Sequence, residues 1–333
     1  MKFPAMRTAV VAMSLALLVT ACGKKPAAPA VGGAKTYQIA VIPKGTTHEF
    51  WKSIHAGAVQ AGRELGVEVI WKGPQKEDDR AQQITVVEDF ISRGVDGIVL
   101  APLDDRALVR PVEDAVREKI PVVIIDSGLQ GSGFISYIAT DNYKGGVLAA
   151  HRLGGLLGGK GRVFCIRYQE GSASTTQREA GFLDTIQKEF PAIALLVQDQ
   201  YAGATTETAY QLAENLISRF PNVDGVFTPN ESSTFGMLRA LQESGLAGKV
   251  KFVGFDSSPK LVQALRGGVL NGLVLQNPMK MGYLGVKTMV ACLHGEAVPK
   301  LIDTGVTLVT PDIMDRPDIK DILSPDFSKY LDQ

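Results

Sequence analysis

The chain has 333 residues, 45% of them hydrophobic, with 35 basic and 35 acidic side chains. That length supports two ordinary domains, each with its own core, or one large one. The balanced charge provides no basic patch of the kind that nucleic-acid binding needs.

Residues 1–21 read as an export signal. Lys2 and Arg7 precede an apolar run, Ala9 to Ala21, that ends in "LLVTAC". The run is too short for the roughly 20 residues of a membrane-spanning helix. Cys22 directly follows Val19-Thr20-Ala21, a close match to the bacterial lipobox, so it is the expected lipidation site and mature N-terminus. Residues 22–36, rich in Pro, Gly and Ala, then form a flexible tether. Cleavage removes two basic residues and no acid, leaving 33 basic against 35 acidic. Cys165 lies in a strand-like run and Cys292 in a helix-like one, which fits small buried hydrophobes better than a bridge or a metal site.

From Tyr37 a rhythm of short β-branched runs and amphipathic helices begins. The expected strands are "YQIAVIP", "VEVIWK", "GIVLAP", "PVVIID" and "ISYIAT", then "GRVFCIRY", "AIALLVQDQ", "GVFTPN", "KFVGFD" and "LVLQN". Helical patterns such as "DRAQQITVVEDFISRG" and "TETAYQLAENLISRF" lie between them. Continuous apolar strands alternating with helices indicate parallel sheets covered on both faces. The α/β pattern restarts near "ATDNYKGG", which predicts two similar doubly wound domains rather than one ten-stranded sheet. Pro111 inside "RALVRPVEDAVREK" predicts a helix that starts late or kinks. The acidic, proline-rich tail from Pro311 is expected to pack loosely over one domain.

Open parallel sheets place ligands beyond the carboxyl ends of their strands. Lys44, Asp126, Arg167, Tyr168, Tyr201, Asn230, Asp256 and Gln276 stand at or just after those ends, and Arg178 lies early in the helix after "GSASTTQ". A single Asp there often only caps the next helix. The whole set, two acids with an Arg, amides and nearby rings, suits a neutral polyhydroxylated molecule: carboxylates accept from paired hydroxyls, and rings cover the C–H face of a sugar.

Catalytic signatures fail. "GGLLGGKG" has phosphate-loop spacing but lacks the following Ser or Thr and ends a helix. "GSGF" has no third glycine, "HEFWK" lacks a second histidine, and no Gly-x-Ser-x-Gly elbow occurs. With neither a nucleophile–base pair nor a metal cluster, the expectation is a protein that is not an enzyme and uses no cofactor or metal.

The motifs "IAVIPKGTTHEFWKSIHAGA", "ISRGVDGIVLAP", "PVVIIDS", "ATDNYKGG", "GSASTTQREAGF", "VFTPNESSTFGMLRAL", "VGFDSSP" and "LVLQNPMKMGYLGV" occur in this order. In them the chain from Tyr37 to Val309 resembles the periplasmic sugar-binding proteins of bacterial ABC transporters, the ribose-binding-like branch that shares its fold with lac-repressor-type regulators. The resemblance implies the type I periplasmic binding protein fold, with three crossings near Thr140–Asp141, Gln276–Asn277 and Val306–Thr307. The domains would be 37–140 with 277–306, and 141–276 with 307–333. It implies ligand contacts from Lys44, His48 and the aromatic pair Phe50 and Trp51, a ring-hydroxyl acid at Asp126, Arg178 and Tyr201 from the second domain, and Asn230, Asp256 and Gln276. Ser127 stands where ribose binders carry Arg, and Lys44 and His48 also depart from their pattern. Lys44 with Arg178 leaves room for an acidic sugar, and "IPK" before an aromatic pair is similar to binders of a furanosyl autoinducer. The implied partners are a small sugar, an ABC permease with its ATPase, and a membrane through the lipid anchor, with the protein itself monomeric. A sensor subunit of the same fold, signalling to a chemoreceptor or kinase, is the alternative.

Overall fold

The computed structural model describes residues 1–2 and 36–331. Cys22, with nearly all of the export segment and the tether, lies outside the described residues.

In chain order the first half gives β1 (Gln38–Ile42), α1 (Glu49–Leu65), β2 (Glu68–Trp71), α2 (Arg80–Arg93), β3 (Gly97–Leu100), α3 (Val109–Arg117), β4 (Val122–Ile125) and β5 (Ser136–Ala139). A second run follows with α4 (Asn142–Leu156), β6 (Lys160–Cys165), α5 (Ala173–Glu189), β7 (Ala192–Val197), α6 (Thr206–Arg219), β8 (Gly225–Phe227), α7 (Glu231–Glu243), β9 (Lys251–Phe255), α8 (Pro259–Arg266) and β10 (Gly272–Leu275). The chain finishes with α9 (Pro278–Leu293), β11 (Leu301–Asp303), β12 (Thr307–Val309) and α10 (Pro317–Leu323).

All ten sequence-predicted strands are present. With β11 and β12 they form two six-stranded sheets in matching order, β11-β5-β4-β3-β1-β2 and β12-β10-β9-β8-β6-β7. Every pairing is parallel except β10 with β12. The continuous apolar runs are explained by this: β3, β4, β8 and β10 are buried along their whole length. Apolar layers lie on both faces of each sheet, one pair built around Ile39 and Phe90, the other around Phe164 and Phe182. Cys165 is buried in the last of these layers and Cys292 is half-buried; neither is bridged.

Helices pair by backbone contact at glycines. A Cβ on Gly57 of α1 would stand 1.9 Å from the Met279 carbonyl oxygen of α9, and one on Gly282 of α9 would stand 2.0 Å from that of Ile54. The second lobe repeats the device: a Cβ on Gly146 of α4 would stand 2.0 Å from the Arg178 carbonyl oxygen, and one on Gly181 of α5 would stand 2.1 Å from that of Tyr143. These approaches hold the helices that carry the site residues in fixed positions.

Two sequence expectations gain detail. α3 begins at Val109, so Pro111 sits in the first turn, where its missing N–H would have no intrahelical acceptor anyway. The tail corrects the expectation of loose packing over one lobe. Met314, Ile319 and Leu323 are buried in the second lobe's core, while Arg63 of α1 donates to the carbonyls of Lys329 and Tyr330 at 2.6 and 3.3 Å. Its apolar residues recur too sparsely among prolines and acids to be read as a core-facing stripe.

Candidate ligand-binding cleft

The corresponding strand order places corresponding residues at corresponding ends. Asp126 follows β4, and Asp256 follows β9, the strand in the same position of the other sheet. Each continues its ladder through the backbone N–H, to Ile138 O at 3.0 Å and Val274 O at 2.9 Å. Each then turns left-handed, with φ of 61° and 65°. That conformation costs a non-glycine residue about 1 kcal/mol, and Asp tolerates it better than most.

Around Asp126 the contacts cross from one lobe to the other. Lys44, which follows β1, is 3% exposed and lies 3.3 Å from Asp126 Oδ2. Its ammonium also donates to Ser172 Oγ at 3.3 Å and Ser174 Oγ at 3.2 Å, at the start of α5. The three protons of the group are thereby used. Ser127 Oγ accepts from the Ser174 N–H at 3.1 Å, and Tyr137 donates to the Asp126 carbonyl at 3.5 Å. Burial, with the Asp126 charge beside it, pushes the Tyr137 phenol upward.

Around Asp256 the partners are Arg178 and Gln276. Arg178 is buried, donates through Nε to Asn142 at 2.8 Å and through Nη1 to the Pro229 carbonyl at 2.9 Å, and lies 3.9 Å from Asp256. Its guanidinium stacks over Phe255, 4.2 Å from the ring centroid. Gln276 Nε2 donates to Asp256 Oδ1 at 2.7 Å, which fixes the amide's orientation. Gln276 Oε1 is then the one buried side-chain polar atom without a partner among the described residues. Leaving a buried acceptor unpaired costs about 1–3 kcal/mol. Burial raises the Asp256 carboxyl above its usual range, against the pull of Arg178.

The aromatic pair forms the start of α1. Phe50 and Trp51 meet edge to face, centroids 5.0 Å apart. The indole N–H of Trp51 donates to Glu77 at 2.7 Å, and His48 lies 2.5 Å from the same carboxylate oxygen. Burial alone would lower the imidazole, but the Glu77 hydrogen bond and charge outweigh it and raise His48 to about 9. Glu77 is held at about 2 despite complete burial, because His48, Tyr168 and Trp51 all donate to it.

Ten of the eleven expected contacts, Lys44, His48, Phe50, Trp51, Asp126, Ser127, Arg178, Asn230, Asp256 and Gln276, are drawn into this buried or half-buried polar network and its aromatic edge. Asn230 spends its side chain capping α7, accepting from Ser233 N and donating to Ser232. Tyr201 stands apart. It is 39% exposed, pairs with Arg167 by an isolated bridge and lies under that guanidinium, lining a polar groove with Arg80, Asp104 and Arg106. Glu77, Glu231 and Asn142 escaped selection, and Tyr168, which stands just after the end of β6, is not among the eleven expected contacts. Glu77 sits in the long loop after β2, several residues beyond the strand's carboxyl end. Glu231 adjoins Asn230 and reads as an ordinary first-turn acid.

Residues 39–297 match the family described as periplasmic binding protein domain. The chain belongs to the periplasmic binding protein family. Among curated relatives, the ribose import binding protein of Bacillus subtilis strain 168 is 29% identical over 305 residues, covering 90% of this chain and 97% of the relative. The structure of a carbohydrate transporter solute-binding protein from Agrobacterium radiobacter, in complex with D-arabinose, has a TM-score of 0.84 and 36% identity, covering 87% of this chain and all of that one. An ABC transporter solute-binding protein from Agrobacterium vitis, with bound D-fucose, gives 0.82 and 34%, covering 86% and 99%. As periplasmic binding proteins, members of this family bind solutes rather than transform them, in agreement with the failed catalytic signatures. The fold is the type I arrangement that the motif order implied.

Proposed function

We propose that this protein captures a neutral sugar between its two lobes and delivers it to an ABC import permease, anchored to the membrane through Cys22. The observation that carries the reading is the matched pair of strand-end aspartates in left-handed conformations, each beside a buried cation, with an unpartnered Gln276 oxygen next to Asp256. Strained carboxylates and an orphan acceptor suit a ligand that offers hydroxyl donors. The D-arabinose and D-fucose bound to solved relatives support a sugar.

A neutral ligand is favoured by Lys44, whose donors are consumed by Asp126, Ser172 and Ser174. Its charge is already balanced, so it is not free to read an acid. The moving bodies would be residues 37–140 with 277–306 and residues 141–276 with 307–333, turning about the three crossings. A ligand that touches both lobes shifts the population toward the shut form, which the permease would recognise.

The test is a thermal-shift panel of pentoses, hexoses, deoxysugars, polyols and sugar acids on the chain without its first 35 residues. A ligand at 100 times its dissociation constant adds about 2.7 kcal/mol of stability. A clear shift with a neutral sugar is the expected result. Shifts with sugar acids alone overturn the neutral reading, and silence across the panel overturns the sugar reading.

A further inference from the structure

Helix α1 starts without a cap of its own. His48, its N-cap residue, makes no side-chain bond to the first turn. The N–H groups of Glu49 and Phe50 have no acceptor within the helix, as at any α-helix N-terminus. Both are satisfied from the other lobe. Glu231 Oε1 accepts from Glu49 N at 3.3 Å and Oε2 from Phe50 N at 3.1 Å. Glu231 is the first residue of α7, and its own N–H donates to Asp256 Oδ2 at 3.1 Å. Consecutive residues thus do different work: Asn230 caps its own helix, and Glu231 caps a helix of the opposite lobe.

The geometry points to Glu231 as a closure residue, one that caps α1 across the cleft and thereby seats the Phe50–Trp51 edge only when the lobes are together. This rests on the reading of the cleft as a sugar site. A carboxylate facing the positive end of a helix is favourable, and hydrogen bonds to an ionised group are strong, so the cap reaches full strength above about pH 7, to which burial raises Glu231. The contact is not isolated. Tyr168 donates to Glu77 Oε2 at 2.7 Å, Gln169 Nε2 donates to the Glu77 carbonyl at 3.0 Å, and Asp105 N donates to Gly171 O at 2.9 Å, each bond running between lobes. Gly171 suits that approach, because its φ of 86° lies in the left-handed region that favours glycine and a Cβ there would press on the Asp104 carboxylate. The shut form is therefore held in part by groups that face each other rather than the ligand. The ligand has only to supply the remainder of the closure energy. Glu231 is a positioning residue: it acts on bound sugar through the backbone of Phe50.

The experiment compares wild type with Glu231→Gln and Glu231→Ala, reading hydrogen exchange at the Glu49 and Phe50 amides and the dissociation rate of a sugar from the panel. Those two amides lack intrahelical acceptors, so their protection reports the cross-lobe cap and not the integrity of α1. Glu231→Ala should speed their exchange at least ~10-fold and raise sugar dissociation ~10- to 100-fold, with association nearly unchanged. Glu231→Gln keeps one acceptor oxygen and should fall between, which also serves if the alanine variant does not fold. Unchanged exchange at both amides, or sugar dissociation within about twofold of wild type in Glu231→Gln and Glu231→Ala alike, overturns the proposal. The exchange is read with sugar bound, and failure of every sugar to bind the wild-type protein overturns the sugar reading on which the proposal rests.

Discussion

Replacing Asp126 tests whether Lys44 belongs to the protein's own ion pair or to the ligand. In the Asp126→Ala variant the Lys44 ammonium keeps only the Ser172 and Ser174 hydroxyls, at 3.3 and 3.2 Å, in a place where both side chains of the pair are 4% exposed. Removing one partner of a buried pair costs about 3–5 kcal/mol, because the other charge is left uncompensated. Alanine at a φ of 61° adds roughly 1 kcal/mol of backbone strain. Asp126→Asn isolates the charge, since Asn accepts the left-handed conformation and still offers an oxygen. The double variant Lys44→Met with Asp126→Ala removes both charges and should recover most of the pair's share of the loss, leaving a coupling of about 2–4 kcal/mol. Urea unfolding of the wild type, the single variants Asp126→Ala and Lys44→Met, and the double variant at neutral pH measures this directly. A loss below about 1 kcal/mol in Asp126→Ala, or a double variant as unstable as the sum of the two singles, would refute the argument that the pair is satisfied within the protein. Sugar affinity of Asp126→Asn, measured by calorimetry, should fall by at least ~10-fold, since a charged acceptor becomes a neutral one.

Stability should depend on pH through three groups. His48, raised from 6.5 to about 9, contributes in full below pH 6.5, and that contribution is lost as pH rises through 9. Glu231, raised by burial from 4.5 to about 7, likewise favours the folded form below 4.5 and loses that effect by 7, whereas Glu77, depressed to about 2, contributes above 4.5 and is lost in acid. Urea midpoints should therefore peak near pH 5 and fall toward pH 9, and His48→Gln should flatten the limb between 6.5 and 9; a wild-type profile level from 7 to 9 contradicts the assignment. Gly57→Ala should cost ~1–2 kcal/mol net, overpacking against Met279 being partly offset by the better helix propensity of alanine. Gly155→Ala, near the end of α4 with nothing within 4 Å of the added carbon, is its control and should be neutral or stabilising in the same melts. Arg178→Lys gives up the bonds to Asn142 and Pro229 and the stacking on Phe255, so calorimetry should show ~100-fold weaker sugar binding, and a loss under threefold would remove Arg178 from the site.

What the sequence revealed follows from which physical signals are local. Strands buried on both faces must be apolar throughout, and "GIVL", "VVII" and "GLVL" announce themselves for that reason. The three-residue strands β11 and β12 are partly exposed and carry no such run, so nothing distinguishes them from loop. At the site, the rule that ligands meet the carboxyl ends of strands selects Lys44, Asp126, Asp256 and Gln276, which the fold pairs as Lys44 with Asp126 and Gln276 with Asp256. It could not find Glu77 or Glu231, whose work depends on partners 91 and 181 or more residues away in the chain. It also selects Tyr201 by its position after a strand; β7 lies at the sheet's edge, and Tyr201 lines the polar groove with Arg80, Asp104 and Arg106.

The glycine contact between α1 and α9 bears on the order in which the molecule assembles. Gly57 and Gly282 meet backbone to backbone, yet nearly the whole second lobe lies between them in sequence. Met281, Val286 and Met289 of α9 complete the apolar layer over β1, β3 and β4 that Ile54 and Ala58 of α1 begin, so that face stays half-covered until residues beyond 278 are available. The corresponding face of the second sheet is covered by Ala149 and Leu153 of α4 and Phe182 and Ile186 of α5, contiguous with its strands, and the late residues Met314, Ile319 and Leu323 complete only its other face. Distant contacts form slowly, because loop closure precedes any gain from the contact. We predict that the lobe nearer the C-terminus matures first: pulse-labelled amides in β6, β8 and β9 should become protected before those in β1 and β3, and the reverse order would disprove it. A chain arranged in this way lingers unfinished at its own beginning, a useful delay for a polypeptide that must stay threadable until it has crossed a membrane.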